Sequence, residues 1–130
     1  MNLKPDWVVL FVGQNDMGKM SIPEFECGMD KLLNVLHENR IKVIQLSTIP
    51  SPGENEQNEK FDICDAIIER LCRKYNNIYV DVKSKFKAIM EYNANAENPI
   101  TIFNEGCHMT ELGNMLLADE VFEAVSTYSI

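Results

Sequence analysis

Apolar residues along this chain alternate between two periods. Residues 6–13 (DWVVLFVG) form a continuous apolar run that ends in glycine, the signature of a strand buried on both faces. A polar loop spans 14–20. Ser21 then begins a helix, with Glu24 three residues on as a capping box, and Phe25, Met29, Leu32, Leu33 and Leu36 recur at helical spacing to give it one buried face. Residues 41–49 (IKVIQLSTI) predict a second strand, stopped by Pro50 and Pro52. Residues 51–60 predict a polar loop. A helix follows over about 59–75, with Phe61, Cys64, Ile67, Ile68, Leu71 and Cys72 on its apolar side, and Asn76-Asn77 ends it. A third strand, 78–82 (IYVDV), leads to a short helix carrying Phe86, Ile89 and Met90. Residues 93–107 predict a long Asn-rich loop, of a length that is often functional. The last helix starts near Thr110 and carries Leu112, Met115, Leu116, Ala118, Val121, Phe122 and Val125.

The order β-α-β-α-β-α-α predicts an α/β fold, a three-stranded parallel sheet flanked by helices. In such sheets, sites lie outside the carboxyl ends of the strands. That rule selects the loops 13–20, 50–60 and 94–110.

Composition narrows the function classes. With 130 residues, 45% of them apolar, the chain is long enough for a core without staples and reads as one domain, 1–130. Twenty acidic against twelve basic residues leave a charge of -8, which argues against binding to a nucleic-acid backbone. Cys27, Cys64, Cys72 and Cys107 form no Cys-x-x-Cys, and with only His37 and His108 available no zinc site is expected. The cysteines read as reduced and mostly structural. The start lacks the apolar region of a signal peptide, and the longest apolar run, 7–12, is too short for a bilayer. The expectation is a cytoplasmic chain with no membrane span, unless a segment with a signal precedes it.

Two constellations carry chemistry. Gly13-Gln14-Asn15-Asp16 follows the first strand, where glycine permits a sharp turn and Asn15 can aim an amide N–H at developing negative charge. The same residue types are also favoured in plain turns. Glu105-Gly106-Cys107-His108 precedes the last helix; a histidine with a carboxylate three residues back can be a general base with its orienting partner. Equally, His108 can be a solvated loop residue with Thr110 capping the helix.

Taken together, the two constellations resemble the later blocks of the SGNH, or GDSL, family of serine esterases and lipases. Lys4-Pro5-Asp6-Trp7 through Gly13-Gln14-Asn15-Asp16 is similar to that family's "PD-apolar strand-GxND" block, and Gly106 to Asn114, running into Leu116-Leu117-Ala118, to its Asp-x-x-His block. The resemblance implies a partial flavodoxin-like SGNH fold lacking its first β-α-β portion. It implies Asn15 as an oxyanion donor, His108 as the general base, Gly13 and Asp16 as residues that shape the loop, and Glu105 in place of the family's triad aspartate. Glutamate is one methylene longer, so its reach to His108 needs a shifted backbone or another rotamer. No metal or organic cofactor is implied, and the substrate would be a small ester or acylated compound.

The family's Gly-Asp-Ser nucleophile block is missing from the chain. Neither Ser47 nor Ser51 sits on a Gly-flanked elbow, and Cys107 is expected to pack under its loop rather than pair with His108. The expectation is therefore the carboxyl-terminal part of an ester or acyl hydrolase, inactive by itself; the alternative is a non-catalytic protein-interaction or scaffold module. The first strand would be left as a sheet edge, prone to self-association or to pairing with a partner.

Overall fold

The computed structural model describes residues 3–14, 19–53, 55–104 and 108–128. Three strands, β1 (Trp7–Leu10), β2 (Lys42–Leu46) and β3 (Ile78–Val80), form a parallel sheet in the order β1-β2-β3. The register pairs Val9 with Ile44 and Leu46 with Val80. Among the described residues, four helices flank the sheet: α1 (Ile22–Glu38), α2 (Asn55–Lys74), α3 (Val82–Asn93) and α4 (Glu111–Tyr128).

One face of the sheet carries α1 and α2. Phe25, Met29 and Leu33 of α1 meet Phe61, Cys64, Ile68 and Leu71 of α2 over Val43. The other face carries Ile44, Leu46, Val82, Phe86, Ile102 and Ala124, with Trp7, Ile78, Leu116 and Val121 packed around them. Successive β2 side chains thus feed opposite layers, as the strand period requires. Exposed pairs Lys74–Asp30 and Arg70–Glu26 also join α1 to α2, but pairs this open to solvent contribute little.

The sequence pattern locates every element, and the α1 capping box forms as expected, Ser21 accepting from the Glu24 N–H while the Glu24 carboxylate accepts from the Ser21 N–H. Several boundaries move. Helix α2 begins at Asn55, so most of the expected 51–60 loop is helix; its Glu, Gln and Lys residues are good helix formers whose polarity only masks the period. Strand β3 stops at Val80 because Asp81 accepts the Ser84 N–H and caps α3, which takes Val82. Strand β2 ends at Leu46, although the Ser47 N–H still bonds the Val80 carbonyl. Leu32 does not join the buried face of α1; it lies 100° round from Leu33 and is exposed.

Cys64 and Cys72 are both buried, as expected from their helix side, and Cys27 is exposed. Burial, with Glu69 nearby, pushes the Cys72 thiol up to about 12. A maleimide is expected to modify Cys27 readily and to leave Cys64 and Cys72 untouched until denaturant is added, as peptide mass mapping would report.

Candidate functional site

The two chemistry-bearing loops leave the described structure at their centres. Asn15, Asp16, Glu105 and Cys107 lie outside the described residues, whereas Gly13, Gln14 and His108 lie within them.

Gly13 adopts φ +115°, which L side chains rarely enter, and it is buried. A Cβ there would sit 3.0 Å from the Cys64 Sγ and 3.3 Å from the Phe25 ring. Gly13→Ala is expected to cost roughly 1–2 kcal/mol in a urea melt, from strain and crowding together. The next residue is clamped. The Gln14 side-chain amide donates to the Ile49 carbonyl at 2.9 Å and accepts the Ile49 N–H at 2.9 Å. The residue preceding Asn15 is therefore tied to the chain just beyond β2, like an extra ladder rung.

His108 is exposed on the return arm of a hairpin. Phe103 and Met109 form an antiparallel bridge, the Asn104 N–H bonds the His108 carbonyl at 2.8 Å, and the Thr110 N–H bonds the Ile102 carbonyl at 3.0 Å. Thr110 caps α4: its hydroxyl accepts the Gly113 N–H and donates to the Thr101 carbonyl. Ile102 and Phe103 anchor the hairpin, Ile102 in the core with Ile49 and Leu46 and Phe103 against the Phe86 ring. Gly13 and His108 are thus borne on rigid supports that share the chain after β2.

Below these loops lies a buried polar network that the sequence reading missed. Asp65 on α2 accepts the Thr48 N–H at 2.8 Å and the Thr48 hydroxyl at 2.9 Å, and pairs with the Lys83 ammonium at 2.5 Å. Lys83 also reaches Asp62 at 2.9 Å. Burial raises the Asp65 carboxyl above its ordinary value, outweighing the bonds from Lys83 and Thr48 that lower it; the Lys83 bond holds the more exposed Asp62 down. Ser47 belongs to this network, its hydroxyl donating to the Thr48 carbonyl and accepting the Lys83 backbone N–H at 3.0 Å. The sequence signal for it is slight, a polar pair, Ser47-Thr48, near the end of a strand that already carries Lys42 and Gln45.

Away from His108 and Gly13, a cleft of about 910 Å³ opens at the amino end of the sheet, lined by residues including Trp7, Lys42, Asn77, Ile78 and Tyr128. Among the described residues, no group of His, Cys, Asp and Glu side chains could hold a metal ion, and no helix is long and apolar enough to cross a membrane.

Comparison with curated protein sequences yields no match. Several solved structures share the fold. An acetyl xylan esterase is 27% identical, with a TM-score of 0.80 over 94% of this chain and 68% of its own. An acetylxylan esterase of Geobacillus stearothermophilus, solved as a catalytic mutant, is 19% identical, with a TM-score of 0.77 over 92% of this chain and 59% of its own. An alpha/beta hydrolase from the metagenome of Lake Arreo, Spain, is 19% identical, with a TM-score of 0.79 over 95% of this chain and 61% of its own. The chain therefore spans about three-fifths to two-thirds of the length of these structures. Residues 1–116 match the GDSL-like lipase/acylhydrolase family, and the chain belongs to that family.

Proposed function

We propose that the chain is the carboxyl-terminal part of a hydrolase acting on ester or acyl bonds, and that residues 1–130 form one partial domain of it. His108 is the general base, Glu105 its orienting carboxylate and Asn15 an oxyanion donor, with Gly13 and Asp16 shaping the Asn15 loop. A serine outside these 130 residues attacks the carbonyl, His108 takes its proton, and the Asn15 amide stabilises the oxyanion. The supporting observation is the family match, which contains both constellations, with His108 exposed on a hairpin braced against the core. The hydroxyl of Ser47 is buried and occupied by backbone partners, which supports a nucleophile from elsewhere. Acetyl esters are the first substrates to try, given the 27% identical acetyl xylan esterase.

The test is turnover of a short acyl ester by purified 1–130 and by the product of the complete reading frame. Residues 1–130 alone should match His108→Ala, because base and oxyanion donor without a nucleophile leave only residual acceleration. If the complete product carries a serine block, it should turn over. There His108→Ala should abolish measurable turnover, and Asn15→Ala should lower kcat about 10²–10³-fold with little change in KM. Turnover by 1–130 that His108→Ala abolishes would refute the missing nucleophile. A complete product that contains no such block and is inert would favour the scaffold module. Pairing of a partner or second copy with the free edge of β1 belongs to either reading.

A further inference from the structure

The ladder between β1 and β2 keeps one register, from Trp7 opposite Lys42 to Leu10 opposite Gln45. Beyond Leu10 the backbone ladder stops, and Gly13 at φ +115° breaks the extended conformation. Gln14 and Ile49 lie 35 residues apart, the same offset as the ladder, yet a side chain joins them. The Gln14 carboxamide donates to the Ile49 carbonyl at 2.9 Å and accepts the Ile49 N–H at 2.9 Å. A carboxamide presents the donor and the acceptor of a peptide group, so it makes both bonds of a rung after the backbone has turned away. The end of β1 is held by a second carboxamide, Gln45, whose Nε2 donates to the Leu10 carbonyl.

The segment that Gln14 grips is itself fixed. Residues 47–51 belong to no strand but are buried, and their backbone is held from three other elements. The Ser47 N–H bonds the Val80 carbonyl, and Asp65 accepts the Thr48 N–H. Asn58 accepts the Ser51 N–H at 2.8 Å and donates to the Ser51 carbonyl at 2.9 Å, a second two-bond clamp of the same kind. Ile49 sits in the core layer that also holds Ile102, the anchor of the His108 hairpin. One short segment is therefore gripped by the residue before Asn15 and packed in the layer that anchors the hairpin bearing His108.

We propose that Gln14 is a positioning residue of the hydrolase: its clamp on Ile49 fixes the start of the Asn15 loop in the frame that also carries His108. The role rests on the hydrolase reading above. The Gln14 carboxamide is engaged by Ile49, so it acts through Asn15 and not on the substrate. Reacting groups tolerate little displacement, and an error of about 1 Å can cost about 10²-fold in rate.

Gln14→Met keeps the length of the side chain and loses both bonds. Gln14→Asn keeps the carboxamide but holds it one methylene short of Ile49. In residues 1–130, either variant should speed hydrogen exchange at the Ile49 amide and leave the Asn104 and Thr110 amides, which close the hairpin, at their wild-type rates. In the complete product, either should lower kcat about ten- to a hundredfold with KM within about twofold of wild type. Added to Asn15→Ala, Gln14→Met should cost less than about threefold more, because the donor it positions is already gone. A full multiplicative loss in that double variant, or faster exchange at Asn104 and Thr110, would make Gln14 merely structural and overturn the role. Unchanged kcat in a product that His108→Ala silences would overturn it too, with the hydrolase reading intact. A complete product that is inert, or indifferent to His108→Ala, removes the hydrolase reading and this role with it.

Discussion

Lys83→Met is expected to destabilise the fold by about 3–5 kcal/mol at neutral pH, the usual cost of stripping a buried charge of its partner. Lys83 and Asp65 are both nearly inaccessible, with side chains 9% and 12% exposed. Methionine fills the volume of the lysine stem but leaves the Asp65 carboxylate with only Thr48 to satisfy it. Asp62 is mostly exposed and loses little, because water replaces the ammonium. The pH dependence follows from the direction of the Asp65 shift. Burial already raises its carboxyl in the folded state, so the ionised form is disfavoured there and stability falls as pH rises from the ordinary value of 3.8 through the folded one. Removing Lys83 raises that carboxyl further. The gap between wild type and variant in urea melts should therefore narrow as pH is lowered toward 3.8, because a protonated Asp65 needs no counter-charge. Asp65→Asn in the Lys83→Met background should recover part of the loss at neutral pH. A gap that stays constant with pH would show that the effect comes from packing and not from charge.

This network also marks where sequence reasoning stops. The apolar period located every helix and strand, because Phe61, Cys64, Ile68 and Leu71 repeat along one stripe, and 7–12 is apolar without a break. Boundaries failed where a side chain bonds the backbone. The Asp81 cap cut β3 short, and the polar first turns of α2 concealed a helix. Contacts across long stretches of sequence carry no local signal. The Gln14 clamp on Ile49 and the Asp65 bonds to Thr48 join residues brought together only when parallel strands align. The candidate chemistry was legible for the opposite reason, since Gly13-Gln14-Asn15-Asp16 and Glu105-x-x-His108 are each compact in sequence. The support of His108 was not, because it depends on Ile102 and Phe103 reaching back into the core.

Gly113→Ala should reverse the ordinary effect of alanine in a helix. At an unobstructed helical position the exchange stabilises, by about 0.5–1 kcal/mol, since glycine loses more backbone entropy on folding. Gly28 in α1 is such a position, with nothing within 4 Å of an added Cβ, and Gly28→Ala is the control that should gain that amount. At Gly113 an added Cβ would collide with the Ile102 carbonyl oxygen and stand 3.0 Å from the Met109 Cβ. The obstacle is backbone, and the same carbonyl accepts the Thr110 N–H that closes the His108 hairpin. It cannot rotate aside as a side-chain tip would. Either α4 lifts from the sheet or the hairpin bond stretches, and the expected loss is about 2–3 kcal/mol, in the range of core overpacking. Hydrogen exchange separates the two responses: a strained hairpin speeds exchange at the Thr110 and Asn104 amides, whereas a lifted helix speeds it along α4. A gain in stability comparable to Gly28→Ala would mean that the helix start has room to yield. The close approach of α4 to the hairpin would then not be what holds His108 in place.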